Sequence, residues 1–248
     1  MLILLPPSET KRDGGDGPPL ELPRLAHPAL TATRRGLVRR VAALAKNRDE
    51  AMTRLKLGPK LAFEVERNRS LRTAPTMAAM DRYTGVLYEA LDAPGLDEDA
   101  RAFAAAHVRI HSALFGLIAA GDPIPAYRLS HDSRLEAPSV KATWAGSLSK
   151  ELAAHASELV LDLRSEAYVA LGPVPVGVPE SYYLRVVSVG ADGARRALNH
   201  FNKKGKGELV RAILQHGVDF ASVDELIAWG RTAGHRLSLD GTDLVLEV

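Results

Sequence analysis

The apolar positions of this chain change period as it proceeds, and the changes mark its elements. Leu2-Ile3-Leu4-Leu5 is an unbroken apolar run closed by Pro6-Pro7, the signature of a short buried strand. Asp13-Gly14-Gly15-Asp16-Gly17-Pro18-Pro19 follows as a glycine- and proline-rich loop. From Thr33 to Leu91 the pattern is helical, with Leu37, Val41, Leu44 and Ala45 at helix spacing. Gly58-Pro59 joins two of these helices, and Pro75 opens another that runs through Tyr83 and Tyr88. An alanine-rich helix from Asp97 or Glu98 through Ala106 completes a helical subregion over about 33–106.

The second half alternates more. Val108 to Leu117 reads as a strand running into a turn, and Gly121-Asp122-Pro123-Ile124-Pro125 as an irregular connection. Ser139 to His155 predicts one helix containing Trp144. Leu159 to Leu163 and Tyr182 to Val189 predict strands, and Glu208–Gln215 and Val223–Trp229 predict helices. Arg236–Leu239 and Leu244–Val248 predict a hairpin around Asp240-Gly241. Short strands dispersed among helices point to a mixed α/β (α+β) fold, and the length allows one large domain or two small ones.

Composition narrows the chemistry. The 248 residues are 46% hydrophobic and 25% charged, as in a soluble globular protein, and the formal net charge is only +2. Any nucleic-acid case therefore rests on local clustering of charge. With no cysteine, disulfides, thiolate metal sites and a cysteine nucleophile are excluded. The short apolar start lacks a charged n-region, and no run approaches the about 20 apolar residues of a membrane helix, so a cytoplasmic protein is expected.

The strongest local cluster is Lys203-Lys204-Gly205-Lys206-Gly207, with Arg211 a turn further on. Glycines permit close backbone approach, and lysines before a helix start suit a phosphate. Tyr127-Arg128 offers a guanidinium fork and a stacking ring. The same arginine also fits an ion pair with Asp122 or Asp132. Asp162 and Glu166 flank Ser165 at the end of a predicted strand, where α/β proteins place ligand groups; helix capping is the plainer reading. Lys56 and Lys60 bracket the Gly58-Pro59 turn, which suits either a DNA-gripping hairpin or an ordinary αα-hairpin. His107 and His111 share the i,i+4 spacing of a helix face without a third ligand, and His131 and His200 stand alone, so no metal and no cofactor is expected.

Read together, these segments resemble the YaaA family of peroxide-stress proteins. The resemblance is carried by Pro6-Pro7-Ser8-Glu9-Thr10-Lys11, Tyr83-Thr84-Gly85-Val86-Leu87-Tyr88, Ser112-Ala113-Leu114-Phe115-Gly116 with Asp122 and Tyr127-Arg128-Leu129, Asp162-Leu163-Arg164-Ser165-Glu166-Ala167-Tyr168, and Lys203 to Gly207. The departures from the family pattern are Lys11, two places later than its usual slot, Asp162 for asparagine, and Ala167 for glutamate with Glu166 beside it. The resemblance implies a compact single domain over residues 1–248 with a short-stranded sheet surrounded by helices, a positively charged cleft, a helix-hairpin-helix element, binding to DNA and a role in limiting oxidative damage.

It also implies an alternative, an N-glycosidase acting on oxidised or modified purine nucleotides. Asp162 or Glu166 would then stabilise the oxocarbenium-like sugar or activate water. In either case the ligand is DNA or a purine nucleotide. The expected phosphate or nucleic-acid contacts are Lys11, Arg128, Lys203, Lys204, Lys206, Arg211, Lys56 and Lys60, with Tyr83, Tyr127 and Ser165 near base or substrate.

Overall fold

The computed structural model describes residues 1–189, 195–197 and 200–248. Its strands are β1 (Leu2–Leu5), β2 (Gly17–Pro19), β3 (Pro75–Ala78), β4 (Val108–Ser112), β5 (Gly116–Ala119), β6 (Pro123–Ile124), β7 (Val160–Asp162), β8 (Ser181–Val189), β9 (Arg195–Ala197), β10 (Arg236–Asp240) and β11 (Asp243–Glu247). The helices are α1 (Thr31–Leu44), α2 (Arg48–Arg54), α3 (Phe63–Arg69), α4 (Ala79–Arg82), α5 (Val86–Leu91), α6 (Glu98–His107), α7 (Val140–Trp144), α8 (Ser147–Ala153), α9 (Glu166–Val169), α10 (His200–His216) and α11 (Val223–Thr232).

The main sheet has the order β10-β11-β8-β7-β1-β4-β5, with β9 pairing to the far end of β8. Its centre is parallel, from β4 through β1, β7 and β8 to β11, and its edges are antiparallel. The fold is thus mixed α/β, as the dispersed strands predict. Central parallel strands are covered on both faces, which is why β1 is apolar at every position and wholly buried. A small second sheet, β2-β3-β6, lies off this path. One continuous apolar core runs from Met1 to Leu246. Among the described residues no helix is long and apolar enough to cross a membrane.

Several local expectations are corrected. Pro75 starts a strand, because Thr76 is buried and its hydroxyl donates to the Pro18 carbonyl at 2.7 Å, tying the glycine-rich loop into the small sheet. The helix expected over Ser139–His155 is two, broken where Gly146 takes φ 79°. Val108 to Leu117 is a hairpin, β4 turning into β5. At its turn Gly116 has φ 68°, and a Cβ there would meet the Trp144 ring at 2.9 Å.

The largest correction concerns the basic segment. Lys203 to Gly207 lies inside α10, not in a loop ahead of it. Its glycines serve packing. A Cβ on Gly207 would stand 2.2 Å from the Leu87 carbonyl oxygen of α5 and 2.8 Å from Ala90 Cβ, so the two helices touch backbone to backbone. Gly205, Lys206 and Gly207 are buried, while Lys203 and Lys204 face outward.

Gly207→Ala should lower stability by about 1–3 kcal/mol in urea denaturation, as overpacking does. Gly58→Ala, at φ −75° with open space around it, should stay within about 0.5 kcal/mol of the parent.

Candidate functional site at the carboxyl ends of the parallel strands

The chain leaves β1 through Pro6-Pro7 and returns along the sheet end as a loop pinned at several points. Lys11 forms an antiparallel bridge with Tyr83, Thr84 N–H donates to the Thr10 carbonyl at 3.2 Å, and the Tyr88 hydroxyl donates to the Pro6 carbonyl at 2.7 Å. Arg82, fully buried, donates to the carbonyls of Arg12, Gly14, Pro75 and Ile124. This loop delivers Lys11 into the interior.

Lys11 is 6% exposed. Its Nζ donates to the Ser8 and Glu9 carbonyls at 3.0 and 3.3 Å and sits 4.2 Å from the Tyr127 ring centroid and 5.4 Å from that of Tyr83. Burial dominates its titration and, with Arg128 and Arg67 adding to it, outweighs the carboxylates of Glu64 and Glu9, lowering the amine to about 7.

Behind it runs a chain of hydroxyls. Ser112 Oγ accepts from the Leu114 and Phe115 N–H groups at 3.1 and 2.9 Å. Its two lone pairs are then used, so its proton goes to the Tyr127 hydroxyl 2.7 Å away. The Tyr127 proton in turn points to the Tyr83 hydroxyl, also at 2.7 Å. Burial raises both phenols above their ordinary range, keeping the chain neutral.

Arg128 closes the other side. Asn68 of α3 clamps its backbone, Nδ2 donating to the Arg128 carbonyl and Oδ1 accepting its N–H, each at 2.8 Å. The guanidinium pairs with Glu9, while its buried Nε finds no partner among the described residues. Glu64, buried on the same helix as Asn68, binds Arg67 at 3.0 Å through Oε1; its Oε2 is likewise unpartnered. Sequence reading misses Glu64, Arg67 and Asn68, although their i, i+3, i+4 spacing places all three on one helix face.

The remaining expected residues are distributed. Asp162, at the end of β7, is buried; its Oδ1 accepts from Arg164 Nε at 2.9 Å and its Oδ2 from Arg164 Nη2 at 2.6 Å. Arg164 also reaches the Gly172 carbonyl at 2.8 Å and His111 Nδ1 at 3.0 Å. Lys206 comes from α10 to the same strand end, donating to the Leu163 carbonyl at 3.1 Å, 5.1 Å from the Tyr183 ring centroid; burial lowers its amine to about 8 against the pull of Asp162. Ser165 and Glu166 are exposed, and Glu166 stands 3.8 Å from Arg185. Lys204 pairs with Glu208 at 3.3 Å, and Lys203 is exposed.

Arg211 is committed to the end of α5, donating to the carbonyls of Leu91, Asp92 and Gly95. Lys56 pairs with Asp132, and Lys60 is exposed beside the Gly58-Pro59 turn between α2 and α3. His107 ends α6 and contacts the Met1 carbonyl at 2.9 Å, whereas His111 lies in β4, so the two do not share a helix face. Burial beside Arg164 keeps His111 well below its usual range. His131 meets Tyr168 edge-on at 5.5 Å, and the His200 side chain lies outside the described residues. No group of three or more His, Asp or Glu among the described residues could hold a metal ion. Clefts of about 250 Å³ beside Arg40 and Arg54 and about 410 Å³ beside Arg35 and Arg72 are lined by other residues.

Asp162→Asn should cost about 3–5 kcal/mol in denaturant unfolding, because it strands the Arg164 charge in the interior. The pH dependence of stability follows from Lys11. The folded chain releases this proton near pH 7, whereas the unfolded chain holds it to about 10.5, so the unfolded state binds more protons across that window. Stability contributed by this group therefore rises from pH 7 toward pH 10, and the rise should be shallower in Lys11→Met. Equal slopes in the two proteins would contradict the burial argument.

The family model for "Peroxide stress protein YaaA" matches residues 1–239. The chain is 44% identical over 239 residues to "UPF0246 protein Cgl1995/cg2186" of Corynebacterium glutamicum, covering 94% of this chain and 93% of that protein. It is 42% identical over 245 residues to "UPF0246 protein CE1889" of Corynebacterium efficiens, covering 97% and 96%. To "UPF0246 protein SCO2297" of Streptomyces coelicolor it is 37% identical over 243 residues, covering 97% and 93%. With near-complete coverage in each direction, the chain belongs to the YaaA (UPF0246) family of peroxide-stress proteins.

Proposed function

We propose that this protein serves a peroxide-stress role by binding the phosphate of a purine nucleotide, or of a nucleic-acid strand, at the Lys11–Arg128 site, and so limits oxidative damage. The observation that carries this reading is the unfinished coordination of Arg128. It is a nearly buried guanidinium with a free Nε, held beside a second cation and paired with a carboxylate, Glu9, whose side chain is 55% exposed. A phosphate entering from the Glu9 side replaces one anion by another at a preformed fork. Position agrees, since ligands of open α/β sheets gather at the carboxyl ends of their parallel strands.

Outward-facing Lys203 and Lys60, with Lys204 paired to Glu208, add exposed charge suited to a longer strand. The Gly58-Pro59 turn, with the exposed Lys60 beside it, supports the same extension.

Fluorescence anisotropy with labelled purine nucleotide, single-stranded and duplex DNA tests this. Arg128→Ala should weaken nucleotide binding at least about tenfold. DNA affinity should fall steeply between 50 and 200 mM salt if several phosphates are engaged. Binding that is unaffected by Arg128→Ala and depends on Lys203 and Lys204 would move the function to the surface of α10. Absence of binding to all three would remove the proposal.

A second reading, cleavage of the base–sugar bond of an oxidised purine nucleotide, is favoured by one observation: the buried Lys11 amine, its proton loosened by desolvation, lies in the field of two carboxylates, Glu9 and Glu64. Asp162 has both oxygens engaged by Arg164, so among the carboxylates first considered Glu166 is the accessible one. Free base released from a panel of oxidised purine nucleotides, and lost in Glu166→Gln or Glu64→Gln, would support it; intact nucleotides after prolonged incubation with folded protein would count against it.

A further inference from the structure

Phosphate binding makes use of the charge of Lys11 and leaves its particular setting unexplained. A lysine that only attracts phosphate is best left solvated and fully charged. Lys11 instead lies in the interior, with two backbone carbonyls on one side and the Tyr127 ring on another. That setting orients two N–H bonds toward carbonyl oxygens and excludes bulk water. The charged groups acting on it are Glu64, Arg128, Glu9 and Arg67, and it lies over the neutral rings of Tyr127 and Tyr83. Glu64 brings a buried carboxylate oxygen without a partner among the described residues. These are the parts a nucleophilic amine requires: a desolvated nitrogen, a nearby carboxylate to carry protons, and a neighbouring guanidinium to hold the substrate.

We propose that Lys11 Nζ is an amine nucleophile that forms an imine with the aldehyde carbon of a phosphate-bearing ligand held at Arg128. In its uncharged form the Nζ lone pair attacks the aldehyde carbon, and one of the two Nζ protons passes to the carbonyl oxygen to give a neutral carbinolamine. The remaining Nζ proton passes, through an intervening water and the Glu64 carboxylate, to the departing hydroxyl, which leaves as water. Amine and aldehyde thus become imine and water, with no oxidant or reductant. The ligand class is a phosphorylated aldehyde, the form a sugar phosphate takes when its ring opens. The lowered titration of Lys11, about 7, keeps a large share of this amine uncharged at neutral pH, whereas an ordinary lysine is about 0.04% uncharged.

The inference rests on the phosphate-site reading for its choice of ligand, and the test separates the two. Full-length protein is incubated at pH 7.5 with pyridoxal 5′-phosphate or with pyridoxal, reduced with borohydride, and mapped by mass spectrometry. The exposed Lys203 and Lys204 serve as internal references. The expected result is a reduced adduct on Lys11 that forms at least about tenfold faster than on Lys203 or Lys204. It should be absent in Lys11→Arg, which keeps the charge, and slowed in Glu64→Gln. Lys11 labelling no faster than the two surface lysines, with either probe, overturns the proposal. If the amine is reactive but the phosphate reading is wrong, pyridoxal and its phosphate will label Lys11 equally, and Arg128→Ala, which removes a charge acting on the amine, will change both rates by the same factor. If the phosphate reading is right and the imine wrong, nucleotide binding will depend on Arg128 while Lys11 stays unlabelled.

Discussion

The carboxyl edge of the parallel sheet is organised by buried cations that donate to backbone carbonyls. Lys11 holds the carbonyls of Ser8 and Glu9, Arg82 those of Arg12, Gly14, Pro75 and Ile124, Lys206 that of Leu163, and Arg164 that of Gly172. Arg34 of α1 does the same for the β4–β5 turn, reaching the Phe115 and Leu117 carbonyls at 2.7 Å each. Loops that leave a sheet have carbonyl groups without ladder partners, and an unpaired buried carbonyl is expensive. A basic side chain with several donors satisfies them and fixes the loop's path in one stroke. The consequence is a sheet edge rich in positive charge.

That device has a cost in desolvation, and where a carboxylate offsets it the pair is structural before it is chemical. Asp162 and Arg164 are two residues apart, share two side-chain hydrogen bonds and are both buried. Breaking such a pair leaves a buried charge, so loss of activity in an Asp162 variant is informative only alongside a stability measurement. Lys11 differs. Its carboxylate neighbours, Glu64 and Glu9, are not enough to offset burial, and its proton is loosely held. Two of the unpartnered buried polar atoms, on Arg128 and Glu64, belong to the charged groups that act on Lys11. Incompletely satisfied polar groups of this kind are where a folded protein most often keeps its chemistry.

The basic run on α10 shows how one motif divides between two tasks. Helical periodicity sends Lys203 and Lys204 outward and Lys206 inward. The two glycines, which in a loop would admit a phosphate, here admit neighbouring elements: α5 against Gly207, and Val186 and Val248 against Gly205. Arg211, one turn on, ties α10 to the end of α5 through three carbonyls. Both ends of this contact therefore serve the packing of α10, and only the outer lysines remain available to a partner.

The sequence by itself determined the mixed α/β class, the strands at Leu2–Leu5 and Leu159–Leu163, the terminal hairpin and the family, because these follow from local period, turn chemistry and motif order. It also placed Lys11, Tyr127 and Arg128 among the functional candidates. Tertiary structure alone decided that Pro75 begins a strand, since its partners lie at Gly17–Pro19 and Pro123–Ile124, far along the chain. It alone decided that Asp162 is locked by Arg164, that Gly207 is a packing glycine, and that Glu64 and Asn68 join Lys11 and Arg128 across more than fifty residues of chain. The physical reason is the range of the forces involved. Periodicity and capping act within a few residues, whereas burial, and the pairing it forces on every polar group it encloses, depends on which distant segments the fold brings together.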